Sequence, residues 1–249
     1  MITAKDTANP VLRIAAISKQ YGNGKNATPA LINVSLDFSP GSFTAIMGPS
    51  GSGKSTMLQC ASGLERPTSG EVWLGGIHLN RLKEPRLTLT RRDRIGFIFQ
   101  AFNLIDSLTA RDNILLPLKL SGRRPDEAWL RRLVHQTGLE SRLNHRPSEM
   151  SGGQQQRVAV ARALITRPDI LFADEPTGAL DTRTGLDILE LLRETVDELQ
   201  QTLVMVTHDP NAASIADRVI FMADGQVTGE LVAPTTAKIM DRMKRLEER

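Results

Sequence analysis

The sequence contains almost no cysteine that could cross-link it. Cys60 is the only cysteine, so no disulfide can form within the chain, and such sparse cysteine usage is typical of a reducing compartment. Cys60 lies between Leu58 and Ala61 on a predicted helix. We expect a buried packing residue there, with a reactive thiol as the alternative.

Long apolar runs are also missing. No stretch of the sequence approaches the ~18 uninterrupted apolar residues that a membrane-spanning helix requires. The beginning, Met1 to Pro10, is polar and lacks the apolar centre of a signal peptide. We therefore expect a protein of the cytosol with no direct membrane insertion, for which any membrane role requires a partner.

The sequence has no large excess of positive or negative charge, because the formal net charge is only +3 at pH 7. Basic clusters such as Arg91–Arg94 and Arg131–Arg132 alternate with acidic residues, which is more typical of solvated faces than of a nucleic-acid surface. We expect no nucleic-acid partner. Apolar residues make up 40% and charged residues 24% of the 249 residues, an ordinary composition for a globular protein of one large or two small domains.

Short apolar runs bounded by turn residues predict most of the strands, and longer periodic runs predict the helices. Strands are predicted at Val11–Ser18, Ala30–Phe38, Ser42–Met47, Ile95–Phe99, Ile170–Phe172, Thr202–Val206 and Val219–Met222. Helices are predicted near Lys54–Gly63, the one clear helix of the first hundred residues, and at Ser151–Thr166 and Leu186–Leu199. This alternation indicates a mostly parallel sheet covered by helices.

The middle of the sequence, roughly Ala110 to Pro147, has a different character. Trp129, Leu130, Leu133 and Val134 follow helical spacing, and strand-like runs are absent. We interpret this stretch as a helical subdomain inserted in the α/β core.

The most specific local motif is a glycine-rich loop between a predicted strand and a predicted helix. Its residues are Gly48, Pro49, Ser50, Gly51, Ser52, Gly53, Lys54, Ser55 and Thr56. The pattern is that of a phosphate-binding loop, in which backbone N–H groups and the helix N-terminus face the phosphates. Lys54 is expected to reach the terminal phosphates and the Ser55 hydroxyl to bind Mg²⁺. The alternative is a chance Gly/Ser turn.

A second motif joins a buried strand to two carboxylates. Leu171–Ala173 is apolar and is followed directly by Asp174 and Glu175. Asp174, at the end of the strand, suits Mg²⁺ through its water shell, and Glu175 is placed to polarise an attacking water. The alternative interpretation is a helix cap followed by an exposed acid.

The third motif separates this chain from other nucleotide-binding classes. Ser151 and Gln154 form a predicted capping box that opens a helix, and Gly152 and Gly153 leave the helix N-terminus bare for a phosphate. With Gln155, Gln156 and Arg157 this run resembles the signature sequence of the ABC ATPase family. Met150 stands where leucine is commonest, a swap of similar size.

Four further positions match motifs of that family in the expected order. Gln100 resembles the glutamine that contacts Mg²⁺ and water, and Gly178–Asp181 resembles the loop that ends in Asp181 at the nucleotide. His208 resembles the histidine that contacts the γ-phosphate, and Tyr21, the only tyrosine, resembles the aromatic residue that stacks on adenine.

The resemblance covers about Val11 to Leu231 and implies a fold and an activity. It implies a P-loop α/β core with a mostly parallel sheet, an N-terminal antiparallel β part and a helical subdomain at about 110–167, all within one domain spanning 1–249. It also implies hydrolysis of ATP to ADP and phosphate with ATP and Mg²⁺ bound. Glu175, His208 and Gln100 would be catalytic, with Ser55, Gln100 and Asp174 at the metal.

The partners follow from the same resemblance. Two copies would face head to tail, with each ATP between the loop of one and Ser151–Gln154 of the other, and closure would drive a multi-spanning membrane permease. The chain would sit at the cytoplasmic face of the membrane through that permease. Alternatives are a soluble ABC protein acting on nucleic acid or ribosomes, a regulatory ATP-binding module without turnover, and a P-loop kinase.

A finer resemblance concerns the transport system. Phe99–Leu104, Pro176–Asp181 and the triple glutamine resemble the subfamily of lipoprotein-release, macrolide-export and peptide-resistance systems. Amino-acid importers share Phe102–Leu104 but usually carry serine in place of Gly178. The resemblance also places the permease near Phe102–Leu108, where Phe102 and Leu104 would supply apolar contacts or, equally, pack inside the protein.

The end of the sequence predicts an amphipathic helix over Lys238–Arg249. Its apolar positions at helical spacing are Ile239, Met240, Met243 and Leu246. This helix either closes the domain by packing on it or contacts a dimer or membrane partner.

Overall fold

A computed structural model describes residues 9–22, 24 and 27–247. In this part of the chain the strands are β1 (Leu12–Tyr21), β2 (Thr28–Phe38), β3 (Phe43–Met47), β4 (Ser69–Leu74), β5 (Ile77–His78), β6 (Ile95–Phe99), β7 (Ile170–Asp174), β8 (Thr202–Val206), β9 (Arg218–Ala223) and β10 (Gln226–Val232). The helices are α1 (Lys54–Ala61), α2 (Glu84–Arg94), α3 (Ala110–Leu120), α4 (Glu127–Gln136), α5 (Gly152–Leu164), α6 (Thr182–Leu199), α7 (Pro210–Ser214) and α8 (Thr236–Glu247).

The central sheet has the strand order β10-β9-β3-β8-β7-β6. The neighbours from β9 to β6 run parallel, whereas β10 runs antiparallel to β9. Every residue of β3 and β8 is buried, as expected for strands covered on both faces. The prediction of a mostly parallel sheet is confirmed.

A second sheet has the order β2-β1-β4-β5 and is antiparallel throughout these pairs. Leu12 of β1 lies opposite Phe38 of β2 and Leu74 of β4, and all three side chains are fully buried. The antiparallel N-terminal part predicted from the sequence is therefore present.

The side chains of the central strands divide the apolar core between the two faces of the sheet. Phe43, Ala45 and Met47 of β3 pack with α3, α5 and α6, whereas Ile46 packs with β1, β2 and α1, because neighbouring side chains of a strand point to opposite faces. Cys60 is buried in the second of these cores, and burial raises the pKa of its thiol to about 11. The packing interpretation of Cys60 fits these surroundings.

The chain between β6 and β7 forms helices α3, α4 and α5 without a strand, and residues 95–174 are all described. Side chains cap each helix: Thr109 accepts from the Asp112 N–H, Asp126 from Ala128 and Trp129, and Ser151 from Gln154. The helical character predicted for this stretch is confirmed. The division of residues 1–249 into one domain with a subdomain at about 110–167 stays a prediction.

The prediction of a single helix among the first hundred residues is wrong, because α2 is a second one. Leu87 is its only buried side chain, so α2 carries no apolar stripe from which a helix could be recognised. Helix α6 also starts at Thr182 rather than at Leu186, because the Asp181 carboxylate accepts the Thr184 N–H and caps it. Strand β1 continues to Tyr21, beyond the predicted Ser18.

The predicted C-terminal helix is present as α8 and packs on the rest of the chain. Ile239 and Leu246 are buried and Met243 packs against the same core, whereas Met240 is 58% exposed. Glu248 and Arg249 lie outside the described residues. Packing thus accounts for three of the four apolar positions.

Among the helices of the described residues, none has both the length and the apolar character to cross a membrane.

Replacing Phe172 by alanine should destabilise the fold strongly. The Phe172 ring is fully buried at the centre of β7 and stacks on Phe97 at 5.8 Å between centroids, so its removal should lower the free energy of unfolding by about 3–5 kcal/mol. Leu120→Ala is the control, since Leu120 is 71% exposed and its loss should change the stability by less than about 0.5 kcal/mol. Urea unfolding of both variants measures the difference; equal losses would contradict the assigned core.

Candidate nucleotide site

The phosphate loop (Gly48–Thr56) leaves β3 and enters α1, and close backbone packing fixes its path. A β-carbon on Gly48 would lie 2.1 Å from the Met222 carbonyl oxygen of β9, so only glycine fits there. The Ser52 carbonyl accepts the Gly225 N–H at 3.2 Å, which ties the loop to the turn between β9 and β10. The loop is therefore anchored on the strand beside β3.

Lys54 lies at the first position of α1 and its ammonium turns back into the loop. It donates to the carbonyl oxygens of Gly48 and Pro49, each at 2.8 Å. Burial lowers the pKa of Lys54, and the nearby carboxylates of Glu175 and Asp174 act in the opposite direction. The loop thus places a positive charge close to the two carboxylates of the second motif.

Asp174 and Glu175 follow one another at the carboxyl end of β7. Burial raises the pKa of Asp174, the neighbouring Glu175 raises it further, and Lys54 lowers it. The sheet order explains this proximity: β8 alone separates β3 from β7, so the ends of these parallel strands lie at one edge. This edge combines a cation, a phosphate-type loop and two carboxylates.

Glu175 has an unusual backbone that aims its side chain at a histidine. Its φ of 49° is left-handed, and its N–H donates to the Val206 carbonyl of β8 at 2.9 Å. The carboxylate Oε1 lies 2.9 Å from Nδ1 of His208, whose side chain is 76% exposed. Left-handed residues other than glycine are uncommon and are held by their surroundings, so β8 fixes where the Glu175 carboxylate points.

Tyr21, at the end of β1, is held beside the same site by Glu65, a residue that no sequence pattern singled out. Its hydroxyl donates to Oε2 of Glu65 at 2.6 Å, and the Lys19 ammonium lies 5.1 Å from the ring centroid. The hydrogen bond to Glu65 and burial both raise the pKa of Tyr21, and a hydrogen bond to Thr56 of the phosphate loop lowers it. The ring, 40% exposed, therefore stands beside the loop.

Gln100 follows β6 and lies against the loop that contains Gly178. The Gln100 Nε2 atom is 2.8 Å from the point that a β-carbon on Gly178 would occupy. A serine at this position would have to displace the glutamine amide. Asp181, farther along this loop, serves as the N-cap of α6, and its hydrogen bonds with Thr184 lower the pKa of its carboxyl group.

The helix N-terminus predicted to bind phosphate is formed as expected. Ser151 and Gln154 make both hydrogen bonds of the capping box, with the Ser151 N–H donating to Gln154 Oε1 at 3.0 Å and the Gln154 N–H to Ser151 Oγ at 3.3 Å. A β-carbon on Gly153 would lie 2.2 Å from the Thr184 methyl group. Glycine therefore lets α5 press against the start of α6.

The three consecutive glutamines have three different structural roles. Gln154 completes the capping box, and Gln155 Nε2 donates to the carbonyl oxygens of Pro147 and Met150 at 3.0 and 3.1 Å. Gln156 is fully buried, and its Nε2 donates to the Pro176 carbonyl at 2.6 Å, behind the two carboxylates. The triple glutamine, used above as a subfamily marker, thus holds the segment around Ser151 in place.

The structure brings some of the predicted site residues together and leaves others apart. Lys54, Asp174, Glu175 and His208 gather at one sheet edge, and Tyr21 stands beside the loop. Among the described residues, no hydrogen bond joins Ser151–Gln154 to the phosphate loop. The remaining predicted residues lie on these same elements, namely Pro49, Ser50, Gly51, Ser52, Gly53 and Ser55 on the loop and Gly152 and Gly153 at the start of α5.

The parallel sheet, the loop between β3 and α1 and the carboxylates at the end of β7 together define a class. They form a P-loop nucleotide-binding α/β protein. The capping-box start of α5 and Gln100 after β6 are features by which the sequence resembles one family within that class.

The sequence model of the ABC transporter family matches residues 31–178. The ABC transporter ATP-binding protein MJ0796 of Methanocaldococcus jannaschii is 47% identical over 226 residues, which cover 88% of this chain and 96% of that protein. The bacitracin export protein BceA of Halalkalibacterium halodurans is 42% identical over 89% of this chain and 88% of its own length. The macrolide export protein MacB of Marinobacter nauticus is 42% identical over 92% of this chain but only 35% of its own length.

A solved structure agrees with these sequence matches. The dimeric post-hydrolysis state of MJ0796, bound to ADP and Pi, superposes with a TM-score of 0.80 at 44% identity, covering 90% of this chain and 99% of that one. The chain belongs to the ABC transporter family and is an ATP-binding cassette, an ATPase.

Two substitutions of Tyr21 should separate stacking from local packing. Tyr21→Ala removes the ring and should weaken ATP binding by about 1 kcal/mol, with little effect on a base-free triphosphate. Tyr21→Phe keeps the ring and loses only the hydrogen bonds of the hydroxyl group, to Glu65 and Thr56, so it should retain most of the affinity. Fluorescence titration with ATP and with triphosphate measures both. An equal loss for the two ligands in Tyr21→Ala would mean that Tyr21 only maintains the local fold.

Proposed function

We propose that this chain is the ATP-hydrolysing subunit of a membrane transport system of the exporter or extrusion type. It acts as a head-to-tail homodimer on a separate multi-spanning permease. The proposal places the chain at the cytoplasmic face of the membrane, held there by the permease rather than by a segment of its own.

One observation carries the proposal of a head-to-tail dimer. Ser151–Gln154 is a bare helix start that packs at Gly153 against Thr184. Its own hydrogen bonds do not reach the phosphate loop within the described residues. A helix N-terminus favours an anion through its free N–H groups and its dipole. The anion that fits is the terminal phosphate of an ATP held by a second copy.

ATP would be held by contacts of three kinds. The backbone N–H groups of Gly48–Thr56 and the Lys54 ammonium face the phosphates, and the Tyr21 ring stacks on adenine. Asp181, which caps α6 beside Ser151–Gln154, lies on the surface that faces the second copy. Closure on two ATP molecules and reopening after hydrolysis would move the permease through the different affinities for ATP and ADP.

The donor set at the end of β7 fits a Mg²⁺ ion. The Asp174 carboxylate, whose pKa burial raises, gains from a nearby cation, and hydroxyl and amide oxygens come from Ser55 and Gln100. Mg²⁺ prefers oxygen ligands and keeps several waters. When bound, the ion supplies charge that neutralises the β- and γ-phosphate oxygens.

Hydrolysis would depend on positioning and charge stabilisation. Glu175 polarises the attacking water as a general base, and its left-handed backbone fixes its carboxylate at the end of β8. His208, 2.9 Å from that carboxylate, orients it and contacts the γ-phosphate. Lys54 stabilises charge that develops on the transferred phosphoryl group.

The linking segment between β6 and α3, Gln100–Thr109, supports a permease contact beside the site. Phe102 and Leu104 are partly buried, and Leu104 packs against the core, so the two predicted contacts serve packing at least in part. Ile105 is 43% exposed in the same segment. We assign the apolar permease contact to Ile105.

Glu175→Gln should trap an ATP-bound dimer. The amide cannot accept a proton from water, so turnover should fall by a factor of about a hundred or more while ATP binding persists. Size-exclusion chromatography with ATP, together with phosphate release, provides the measurement. Glu190→Gln, at an exposed glutamate of α6, is the matched control and should behave as wild type. A monomeric Glu175→Gln variant with normal turnover would contradict the assignment.

If the chain binds a permease through Ile105, the permease should co-purify with the chain from membranes, and this should depend on Ile105. Affinity-tagged chain from detergent-solubilised membranes should retain a multi-spanning protein in stoichiometric amount, and Ile105→Glu should lose it while keeping the basal ATPase rate. Val232→Glu, at a residue that is 67% exposed on β10, is the control and should retain the partner. Recovery of the chain only with ribosomes or nucleic acid would overturn the transport role.

A further inference from the structure

Two polar side chains on helices form hydrogen bonds with the backbone of the linking segment. Asn113 of α3 is fully buried and holds its far end: Asn113 Oδ1 accepts the Ile105 N–H at 2.8 Å, and Nδ2 donates to the carbonyls of Ile105, Leu108 and Thr109 at 3.1–3.3 Å. This end of the segment is therefore fixed to α3.

Arg162, near the end of α5, holds the other end of the segment. Its Nη2 donates to the Phe102 carbonyl at 2.8 Å and its Nη1 to the Asn103 carbonyl. Both residues have left-handed backbones, with φ of 58° for Phe102 and 52° for Asn103. Two successive left-handed residues without glycine are unfavourable unless the surroundings impose them. The planar fork of one guanidinium bridges both.

Within the described part of the chain, no carboxylate pairs with the Arg162 guanidinium, and burial alone lowers its pKa. A partly buried cation needs compensating dipoles, and the two carbonyl oxygens supply them. The left-handed turn and the buried charge therefore stabilise each other.

The Phe102 side chain carries this contact to the phosphate-binding end of α5. The tip of its ring lies 3.6 Å from the point that a β-carbon on Gly152 would occupy. Phe102 is thus held at its carbonyl by Arg162 and rests at its ring on Gly152, three helical turns away along α5. Gln100 lies only two residues before this doubly held position.

We propose that Arg162 is a positioning residue that makes the segment after Gln100 and the helix start at Ser151–Gln154 move as one unit. By imposing the left-handed turn at Phe102 and Asn103, it fixes the distance between the glutamine of one ATP site and the helix start of the other.

This inference rests on the head-to-tail dimer proposed above. In that arrangement Gln100 serves the ATP bound by its own chain, whereas Ser151–Gln154 serves the ATP of the partner. A rigid link between them makes closure at one site favour closure at the other. Among the described residues, the Arg162 side chain donates to the Phe102 and Asn103 carbonyls and to no side chain proposed to contact the nucleotide. Its loss should therefore impair closure and turnover rather than the first binding of ATP.

Arg162→Lys tests the link because an ammonium cannot bridge two carbonyls with a fixed fork. We expect kcat of the purified Arg162→Lys subunit to be about fivefold or more below that of the wild type. The dependence of its rate on ATP concentration should lose cooperativity. ADP affinity of the monomer should stay within about twofold and the melting midpoint within about 3 °C. Arg66→Lys is the matched control: its guanidinium also bridges two backbone carbonyls, those of Asn80 and Leu82, so kcat should not change.

A second pair of variants tests the left-handed turn without removing Arg162. The Asn103 side chain is exposed, so Asn103→Val leaves the packing intact but disfavours positive φ, and it should reproduce the loss of kcat. Asn103→Gly added to Arg162→Lys removes the strain and should recover about a third or more of the lost rate.

The outcomes separate failure of the inference from failure of the proposed function. Wild-type kcat and cooperativity in both Arg162→Lys and Asn103→Val would overturn the inference. An equal loss in Arg66→Lys, or a loss explained by a lower melting midpoint, would also overturn it. If Arg162→Lys does not fold, Asn103→Val alone decides. A wild-type chain that neither hydrolyses ATP nor forms an ATP-dependent dimer would instead overturn the proposed function.

Discussion

The adjacency of β3, β8 and β7 in the central sheet is the constraint on which the nucleotide site depends. Because these strands are parallel, their carboxyl ends meet at one edge of the sheet. The loop after β3 brings Lys54, the end of β7 brings the carboxylates, and β8 supplies the carbonyl that orients Glu175. Any change that shifts one strand relative to the next would separate charges whose chemistry requires contact.

Features with a local cause were predictable from the sequence. The capping box of Ser151 depends on neighbours within a few residues, and the phosphate loop has a local glycine pattern between a strand and a helix. The parallel sheet follows from alternating strand and helix patterns. Helix α2 escaped prediction because it is too exposed to leave an apolar stripe. The bond from Tyr21 to Glu65 spans 44 residues and that from Arg162 to Phe102 spans 60. Such pairings are created by the tertiary fold and have no local signal.

A common chemistry holds the segments around the site in place. Gln155, Gln156 and Arg162 of α5, and Asn113 of α3, all donate to backbone carbonyls of loops that have no ladder of their own. Loops near a site cannot be fixed by sheet pairing without losing access to the ligand, and buried carbonyls need partners. Side chains on helices therefore supply the hydrogen bonds to loop carbonyls that neighbouring strands supply elsewhere in the fold.

The burial of Cys60 has a consequence for how the chain responds to oxidants and alkylating reagents. The thiolate is the reactive form of cysteine, and with a pKa of about 11 only about one molecule in ten thousand carries it at pH 7. No second cysteine exists to form a bridge. The folded chain is therefore nearly inert toward thiol reagents, and reaction at Cys60 reports that the core around it has opened.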